Sequence, residues 1–284
     1  RLNGYLVHMH LNGDSPKGFV LTMLALLISI LTFRRAVITF HAGPVQKYFP
    51  QSQAPHLNLL YKAIFSMSRS IICNNDSVKK AIAGYGVPAK KIVPIPAFTR
   101  QYLEFERIAL PDEMEAFFQK FPNVISTYVF LRPEFFAEEM LQAIAELTKE
   151  RHDTGLLIMG PYKDDESMNS LIAKYDLQDF TISVGNQPHD AFLTILSRSK
   201  IYLRSPVKDG VCSSVFEAFW LSVPVVAAEN GSRPQSVVTY ENKNISQMVE
   251  TIRSVLDNHR QAVEAIVKPE IRDTTIDEIA ILTT

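Results

Sequence analysis

Residues 200–228 read KIYLRSPVKDGVCSSVFEAFWLSVPVVAA. The runs KIYL at 200–203 and PVVAA at 224–228 are short and apolar, which is typical of strands buried on both faces of a parallel sheet. Between them, residues 212–221 place apolar side chains four positions apart, as an amphipathic helix does. A strand, a helix and a second strand in this order predict two parallel strands joined by a crossover helix.

The same alternation of strand and helix runs through the rest of the chain. Further strands are predicted at 4–9, 36–40, 70–73, 91–95, 124–131, 155–159 and 180–184. Further helices are predicted at 16–33, 54–69, 77–84, 111–120, 135–150, 164–175, 189–197 and 244–257. The fold class is therefore α/β with two doubly wound halves, and such sheets bind ligands at the carboxyl ends of their strands.

Three prolines between residues 96 and 122 interrupt this rhythm. We therefore predict a first domain at residues 1–99, a linker at 100–121 and a second domain at 122–284. Because the chain starts at Arg1 and enters an apolar run at residues 5–7, we expect the first domain to lack its opening strand.

The composition excludes several classes of protein. The 284 residues are 46% hydrophobic and 21% charged, which is ordinary for globular proteins and long enough for two domains. With 29 basic and 30 acidic residues, the whole chain carries no strong field that would attract nucleic acid. Cys73 and Cys212 lie far apart, which argues against a disulfide framework and a cysteine zinc site and favours a reducing compartment.

Residues 19–33 form an apolar run, FVLTMLALLISILTF, flanked by Lys17, Arg34 and Arg35. The run has 15 residues, whereas a membrane-spanning helix needs about 20. We expect a helix buried under a sheet. The alternative is a helix that lies in a membrane interface, since flanking cations and an apolar body suit a bilayer surface.

Residues 84–89 read GYGVPA and match the dinucleotide-binding pattern G-x-G-x-x-A in letters only. They follow a predicted helix and precede a predicted strand, whereas that pattern must follow a strand and open a helix. We therefore predict a turn that ends the helix, whose N-cap would be Asp76 or Ser77.

Glu217 is the residue on which the functional analysis depends. It is the only charged residue between Asp209 and Glu229, on a helix that is otherwise mostly apolar. A buried carboxylate needs hydrogen-bond donors, and two neighbouring hydroxyls of a sugar would supply them. The N–H groups at the start of this helix, at residues 212–214, can bind a diphosphate. The alternative is purely structural, with an acidic helix cap and a buried glutamate satisfied by the protein itself.

This block resembles family 4 of the retaining glycosyltransferases, which have the GT-B fold. The match consists of Asp209, seven intervening residues, Glu217-Ala218, the strand SVPVVA at 222–227 and then Arg233-Pro234. Weaker similarities lie in IICNNDSV at 71–78, YGVP at 85–88, KIVPIP at 91–96, LLIMG at 156–160 and Val184-Gly185. Together the similar stretches span about residues 5–257.

The resemblance implies two Rossmann-like domains that face each other across a cleft. It implies transfer of a hexose from a nucleoside-diphosphate sugar to a hydroxyl of a saccharide or lipid-linked acceptor. Retention at the sugar carbon, independence of metal and of any further cofactor, and a role in polysaccharide or glycolipid assembly are implied in the same way. The cellular site would be the cytoplasm or the cytoplasmic face of the cell membrane, with peripheral membrane contact and no nucleic-acid partner.

The resemblance also assigns roles to residues. Asp209 would contact the donor sugar, Glu217 the ribose hydroxyls, and the N–H groups of residues 211–214 the diphosphate. The candidate catalytic residues are Asp209, His41 and Arg132. The candidate substrate-binding residues are Glu217, Gly210, Val211, Cys212, Ser213, Ser214, Lys208, Gly160, Arg233 and His10. No metal ligand is predicted.

Three histidines lie near the ends of the first two predicted strands. His41 follows AVITF at 36–40 and resembles a histidine that is frequent in the family, while His8 and His10 flank Met9. A histidine at a strand end can hydrogen-bond a donor sugar or an acceptor. We expect that role for His41 and His10 and a structural role for His8. A metal site is not expected, since no carboxylate or cysteine completes a ligand set at the usual spacing.

One departure from the family bears on catalysis. The family places an arginine, a lysine and a glycine after the first strand of the donor domain, and the corresponding residues here are Arg132, Phe135 and Phe136. A leaving diphosphate needs positive charge in the transition state. Either Arg132, Lys163 or Lys208 supplies it, or the chain is a non-catalytic GT-B-like binding or scaffold subunit. A GT-B epimerase acting on a nucleotide sugar is a third possibility.

Overall fold

The computed structural model describes residues 6–33, 35–43, 46–96, 98–161, 163–207, 212–231 and 233–283. The chain divides into two compact units. The first consists of residues 1–101 and 271–284, and the second of residues 102–270. Each unit contains one parallel β-sheet with helical connections, which confirms the α/β class and the presence of two parallel sheets.

The first unit contains a four-stranded sheet in which the strands follow chain order. The strands are β1 (His8–Leu11), β2 (Val37–Phe40), β3 (Ile71–Cys73) and β4 (Ile92–Pro94). The connecting helices are α1 (Pro16–Leu31), α2 (Asn58–Met67) and α3 (Asp76–Ala83). The largest cluster of buried side chains in this unit centres on aromatic rings, among them Phe40, Phe65 and Tyr61, whose ring centroids lie 5.5–6.3 Å apart.

Helix α1 is not buried under the sheet in the way the sequence led us to expect. Phe19 and Leu26 on one face are buried in the core of the first unit, and Thr22 and Ser29 are buried beside them. The opposite face leaves large apolar side chains in contact with solvent. Among the described residues, no helix is both long enough and apolar enough to cross a membrane.

The start of α3 also differs from the prediction by one position. Asn75 is the N-cap, with an extended backbone, and its side chain accepts a hydrogen bond from the N–H of Val78 at 2.9 Å. Asp76 instead occupies the first turn, where an acidic side chain interacts favourably with the helix dipole. Gly84 caps the other end and Gly86 has φ +81°, so the predicted helix-ending turn is confirmed.

The second unit contains a six-stranded sheet in the order β10-β9-β8-β5-β6-β7. The strands are β5 (Asn123–Tyr128), β6 (Thr154–Met159), β7 (Thr181–Gly185), β8 (Ile201–Arg204), β9 (Val225–Ala228) and β10 (Val238–Tyr240). The helices are α4 (Asp112–Lys120), α5 (Ala137–Thr148), α6 (Glu166–Lys174), α7 (His189–Arg198), α8 (Ser213–Trp220), α9 (Ile245–Asp257) and α10 (His259–Glu264). The short elements β10 and α10 are not among the predicted ones.

Helix α8 follows the predicted amphipathic pattern in part. Val215 and Phe219 are buried against β8 and β9, as their spacing indicates. Phe216 is only half-buried and Trp220 is exposed, although these two apolar residues are also four positions apart, so the spacing alone does not show which side chains face the core. Glu217 lies on the buried side of the helix.

The compact units divide the chain differently from the predicted domains, whose bounds stay a prediction. Helix α4 belongs to the second unit, because Phe117 and the following Phe121 pack against its sheet. The last helix, α11 (Thr274–Thr283), belongs to the first unit. There the Arg69 guanidinium donates to the carbonyl oxygens of Ile281 and Leu282, at 2.6 and 3.1 Å.

Candidate functional site

The second unit contains a cleft of about 480 Å³ at the carboxyl ends of its strands. Strands β5 and β8 end at the cleft, and helices α7 and α8 begin there. The lining residues are Tyr128, Gln187, His189, Phe192, Tyr202, Arg204, Cys212, Ser213, Ser214 and Glu217. This is the edge at which open parallel sheets bind ligands.

Glu217 and His189 form the polar pair in this cleft. The Glu217 side chain is only 6% exposed, and the Nε2 atom of His189 donates to its Oε1 at 2.9 Å. Burial raises the pKa of Glu217, and the hydrogen bond from His189 acts in the opposite direction. The carboxylate is therefore buried and borders a concave surface, and the hydrogen bond from His189 offsets part of the cost of its burial.

The start of α8 is held in place by side-chain hydrogen bonds. The Tyr202 hydroxyl donates to Ser214 Oγ at 2.8 Å, and Cys212 Sγ lies 3.0 Å from the same oxygen. Tyr202 is completely buried, and burial raises the pKa of its hydroxyl, so it stays a neutral donor. The first turn of a helix has N–H groups without partners inside the helix, and here that turn lines the cleft.

Four of the predicted binding residues meet in this cleft, namely Cys212, Ser213, Ser214 and Glu217. Four other predicted residues lie outside the part of the chain that the structure describes, namely Lys208, Asp209, Gly210 and Val211. Their proposed roles, including that of Asp209 in catalysis, stay predictions.

Three predicted residues of the second unit do not line the cleft. Arg132 is exposed, and its guanidinium lies over the Phe130 ring at 5.1 Å. Arg233 donates to the carbonyl oxygens of Ala228 and Pro206, and so connects the end of β9 with the segment that follows β8. These contacts give both arginines a structural explanation, and their roles in binding and catalysis stay predictions.

Gly160 also lies beside the cleft rather than in its lining. It follows β6 with φ +140°, and its N–H donates to the Gly185 carbonyl oxygen at 3.1 Å. A Cβ atom at position 160 would lie 2.3 Å from the carbonyl oxygen of Val129, so the close approach of two strand ends requires glycine here.

Phe136 occupies the position at which the family is expected to have glycine. Its φ of 49° is in the left-handed region that glycine favours, and it forms the N-cap of α5. The backbone conformation of a glycine is thus present although the side chain is phenylalanine. Phe135 accepts a hydrogen bond from the Ser205 hydroxyl on its carbonyl oxygen, which ties this turn to the end of β8.

In the first unit, His8, His10 and His41 form one cluster. His10 Nδ1 and His41 Nε2 lie 2.7 Å apart, with the two rings nearly parallel. His8 Nε2 lies 2.7 Å from Thr39 Oγ1. Desolvation and the neighbouring His10 lower the pKa of both His8 and His41. The lowered pKa values favour neutral rings that can exchange hydrogen bonds.

Metal binding finds no support in the described part of the chain. There, no three side chains of His, Cys, Asp or Glu are grouped so that they could hold a metal ion. Of the three histidines of the first unit, His10 and His41 bond each other, while the His8 ring only packs against the His10 ring, with centroids 4.5 Å apart.

Several residues of the cleft are not among the predicted site residues. His189 starts α7, Arg204 ends β8, and Tyr128 ends β5. Each lies at a strand end or at a helix start, which is the signal that identifies such positions in a parallel sheet. Arg204 donates to the Tyr128 carbonyl oxygen at 3.1 Å and is the arginine of the described cleft lining.

A family model for glycosyl transferases group 1 matches residues 117–268, which is more than half of the chain. The chain belongs to the glycosyl transferases group 1 family. The matched residues run from α4 to the segment after α10, and include all the residues that line the cleft.

A curated relative of this group 1 member is an uncharacterized glycosyltransferase from Methanocaldococcus jannaschii, which is 22% identical over 217 residues. The matched part covers 73% of this chain and 51% of the relative, so the chain spans about half the length of that protein.

Solved structures show the fold. Anabaena HepE in complex with UDP and glucose is similar with a TM-score of 0.69 and 13% identity, over 96% of this chain and 77% of HepE. A putative UDP-N-acetylglucosamine 2-epimerase from Listeria monocytogenes has a TM-score of 0.66 and 13% identity, over 96% of this chain and 72% of that one. The chain thus has a GT-B-like α/β fold with two parallel sheets.

Proposed function

We propose that this chain binds a nucleoside-diphosphate sugar in the cleft of its second unit and transfers the hexose to a hydroxyl acceptor. The observation that carries this proposal is Glu217. Among the described residues, His189 is the one hydrogen-bond donor to its buried carboxylate, at Oε1. Two neighbouring ribose hydroxyls would complete the hydrogen bonding that burial demands.

The diphosphate binds at the first turn of α8, where N–H groups and the helix dipole favour negative charge. Positive charge comes from Arg204, the arginine of the described cleft lining. Its guanidinium donates to the Tyr128 carbonyl oxygen and lies 5.8 Å from the centre of the Phe135 ring. Such a cation stabilises the diphosphate as the bond to the sugar carbon breaks. Arg132, Lys163 and Lys208 are the further candidates, and Asp209 contacts the sugar.

The finer features of the activity rest on the sequence resemblance. We assign the chain to family 4, with retention at the sugar carbon and no need for a metal ion or another cofactor. The acceptor is a saccharide or a lipid-linked saccharide, in polysaccharide or glycolipid assembly at the cytoplasmic face of the cell membrane. His41 and His10 are the acceptor-side candidates, since their paired imidazoles present a hydrogen-bonded edge.

The first test is a thermal-shift screen with UDP, GDP, ADP and CDP, followed by an assay of transfer from the matching radiolabelled nucleotide sugars. We expect one nucleotide to raise the melting temperature, because a ligand of the native state stabilises it by mass action. Glu217→Gln lowers the affinity for that nucleotide by about tenfold or more, since a charged hydrogen-bond acceptor is replaced by a neutral one. Glu146→Gln, at an exposed position on α5, is the matched control and leaves binding unchanged.

Two results would contradict the proposed transfer. Nucleotide binding without turnover across a panel of sugars and acceptors would indicate a non-catalytic binding subunit, a result that Phe135 and Phe136 at the family's lysine and glycine positions would explain. An isomerised nucleotide sugar formed without any acceptor would indicate an epimerase.

A further inference from the structure

Arg204, the last residue of β8, contacts the turn between β5 and α5 at two points. Its Nη1 atom donates to the Tyr128 carbonyl oxygen at 3.1 Å, and its guanidinium carbon lies 5.8 Å from the centre of the Phe135 ring. A guanidinium within about 6 Å of a ring centre is attracted to the face of the ring. The hydroxyl of the next residue, Ser205, donates to the Phe135 carbonyl oxygen. The turn therefore holds both the arginine and its neighbour.

The Phe135 ring is itself supported by two other rings of the same turn. The ring centroids of Phe130 and Phe135 lie 5.1 Å apart, and those of Tyr128 and Phe130 lie 5.6 Å apart. Both contacts are edge-to-face, which is a favourable arrangement for aromatic pairs. Phe135 also packs against the core of the second unit. We call Tyr128, Phe130 and Phe135 the aromatic ladder. Its packing restricts the Phe135 side chain, so that Arg204 lies against a fixed surface.

Arg204 carries the permanent positive charge of the cleft. In the described lining, the other side chains that can ionise are two tyrosines, His189, Cys212 and Glu217. An arginine side chain has many rotamers when it is free. A cation stabilises a transition state best when it is already in place, because no reorganisation is then needed during the reaction. Contacts that fix Arg204 in advance are therefore of direct use to a reaction in this cleft.

We propose that Phe135 is a positioning residue, whose ring holds the Arg204 guanidinium where the leaving diphosphate gains negative charge. This inference rests on the proposed function, in which Arg204 stabilises the diphosphate. It also explains the phenylalanine at the position where the sequence resemblance implies a lysine. The positive charge comes from the end of β8, and the aromatic ring supports it from the side. Phenylalanine at this position is therefore compatible with transfer.

The first test separates the aromatic ring from its apolar bulk, with the nucleotide sugar that the transfer assay identifies. Phe135→Leu keeps an apolar side chain against the core but removes the ring face. We expect it to lower kcat by about tenfold, the effect of losing one cation–π contact away from water. KM should change little, because the charge develops after the donor has bound. Phe135→Tyr keeps the ring and should retain the kcat of the unmodified protein.

The second unit offers a matched control for the leucine variant. Arg198 lies over the Phe118 ring at 4.2 Å, and neither residue is part of the described cleft lining. Phe118 is half-buried, as Phe135 is. Phe118→Leu therefore removes a contact of the same kind from the same unit and should leave kcat unchanged. Circular dichroism melting should show that both leucine variants are folded at the assay temperature.

A double-mutant comparison shows whether Phe135 acts through Arg204. Arg204→Gln removes the charge and should lower kcat by about 100-fold, as the loss of one transition-state donor does. If the ring serves only to place the guanidinium, Phe135→Leu has nothing further to remove in that variant. We therefore expect Phe135→Leu to leave the kcat of Arg204→Gln unchanged, so that the two effects are far from additive. A merely structural loss at position 135 would lower kcat in both proteins.

Calorimetric titration with inorganic pyrophosphate makes the same comparison without sugar transfer. Free diphosphate carries the charge that the leaving group gains, so Phe135→Leu should weaken its binding and Phe118→Leu should not. Pyrophosphate binding that depends on Phe135, in a protein that transfers no sugar, would contradict the proposed function and support this inference. Three results would overturn the inference: no pyrophosphate binding to the unmodified protein, equal effects of Phe135→Leu and Phe118→Leu, or a further loss when Phe135→Leu is added to Arg204→Gln.

Discussion

At the scale of single residues, the Glu217–His189 pair makes nucleotide binding depend on pH. Burial raises the pKa of Glu217 above its ordinary value of 4.5, and His189 opposes that shift. Ribose hydroxyls bind the ionised carboxylate better than the neutral acid. Nucleotide affinity should therefore be full above the raised pKa and should fall as the pH drops through it. Calorimetric titration over a pH series measures this dependence.

Two variants of His189 separate its effect on the carboxylate from a merely structural one. His189→Ala removes the donor at 2.9 Å, raises the pKa of Glu217 further and moves the midpoint of the affinity profile to higher pH. His189→Gln keeps a neutral hydrogen-bond donor, so its midpoint should lie between those of the unmodified protein and His189→Ala. Glu217→Gln should remove the dependence altogether, and an unchanged midpoint in His189→Ala would contradict this account.

The stability of the protein should show the opposite dependence. An acid whose pKa is higher in the folded than in the unfolded protein stays protonated longer in the folded protein. The free energy of unfolding therefore falls as the pH rises from 4.5 through the raised pKa of Glu217. Thermal melts of Glu217→Gln should lack that decline. The stability of the variant relative to the unmodified protein should therefore increase as the pH rises.

The sequence predicted Glu217 but not its partner, and the reason is topological. A single acidic residue on an apolar helix is visible in the local pattern. His189 precedes it by 28 residues and follows β7, which is separated from β8 by two strands of the sheet. Helix α7 returns across those strands and packs beside α8. Strand order, which local sequence does not encode, brings the histidine to the carboxylate.

At the scale of elements, the alternation of apolar runs predicted most helices and strands. It missed the short elements β10 and α10 and the last helix α11, and its other errors lie at the ends of elements. The strand expected at 124–131 ends at Tyr128, because Arg132 donates back to Phe130 in a turn just before Pro133. In α1, nearly every side chain is apolar, so the sequence does not show which face packs inward. That choice depends on the fit of Phe19 and Leu26 to the sheet.

The cap of α3 gives a prediction at this scale. Asn75→Ala removes the side-chain acceptor for the N–H of Val78 and should lower the free energy of unfolding by about 1 kcal/mol. In a unit of this size, such a loss lowers the melting temperature by about 5 °C. Ser77→Ala, at the exposed position that the sequence also suggested as the cap, should have little effect. Equal losses in both variants would contradict the assignment of Asn75 as the cap.

At the scale of the whole molecule, counts over the complete chain conceal its organisation. A formal net charge of −1 suggests an electrostatically neutral protein, whereas the compact units carry strong charges of opposite sign. The place of the C-terminal segment is likewise not visible in the sequence. Residues 271–284 belong to the first unit through contacts between parts of the chain that are far apart in sequence. Nothing in residues 271–284 indicates it, since the isoleucines and leucine there would suit either unit.

Helix α11 should therefore stabilise the first unit and leave the second unaffected. Ile281 and Leu282 pack against Val37, Ile72 and Ile95, and Arg69 binds their carbonyl oxygens. Ile281→Ala combined with Leu282→Ala removes the apolar side chains of α11 that cover those buried partners and should lower the melting temperature of the first unit by about 5 °C or more. Ile276→Ala, on the same helix but 65% exposed, is the matched control. Hydrogen exchange followed by mass spectrometry should show faster exchange in β2 and β3 and unchanged exchange in β5 and β6. Faster exchange in β5 and β6 instead would contradict the placement of α11 with the first unit.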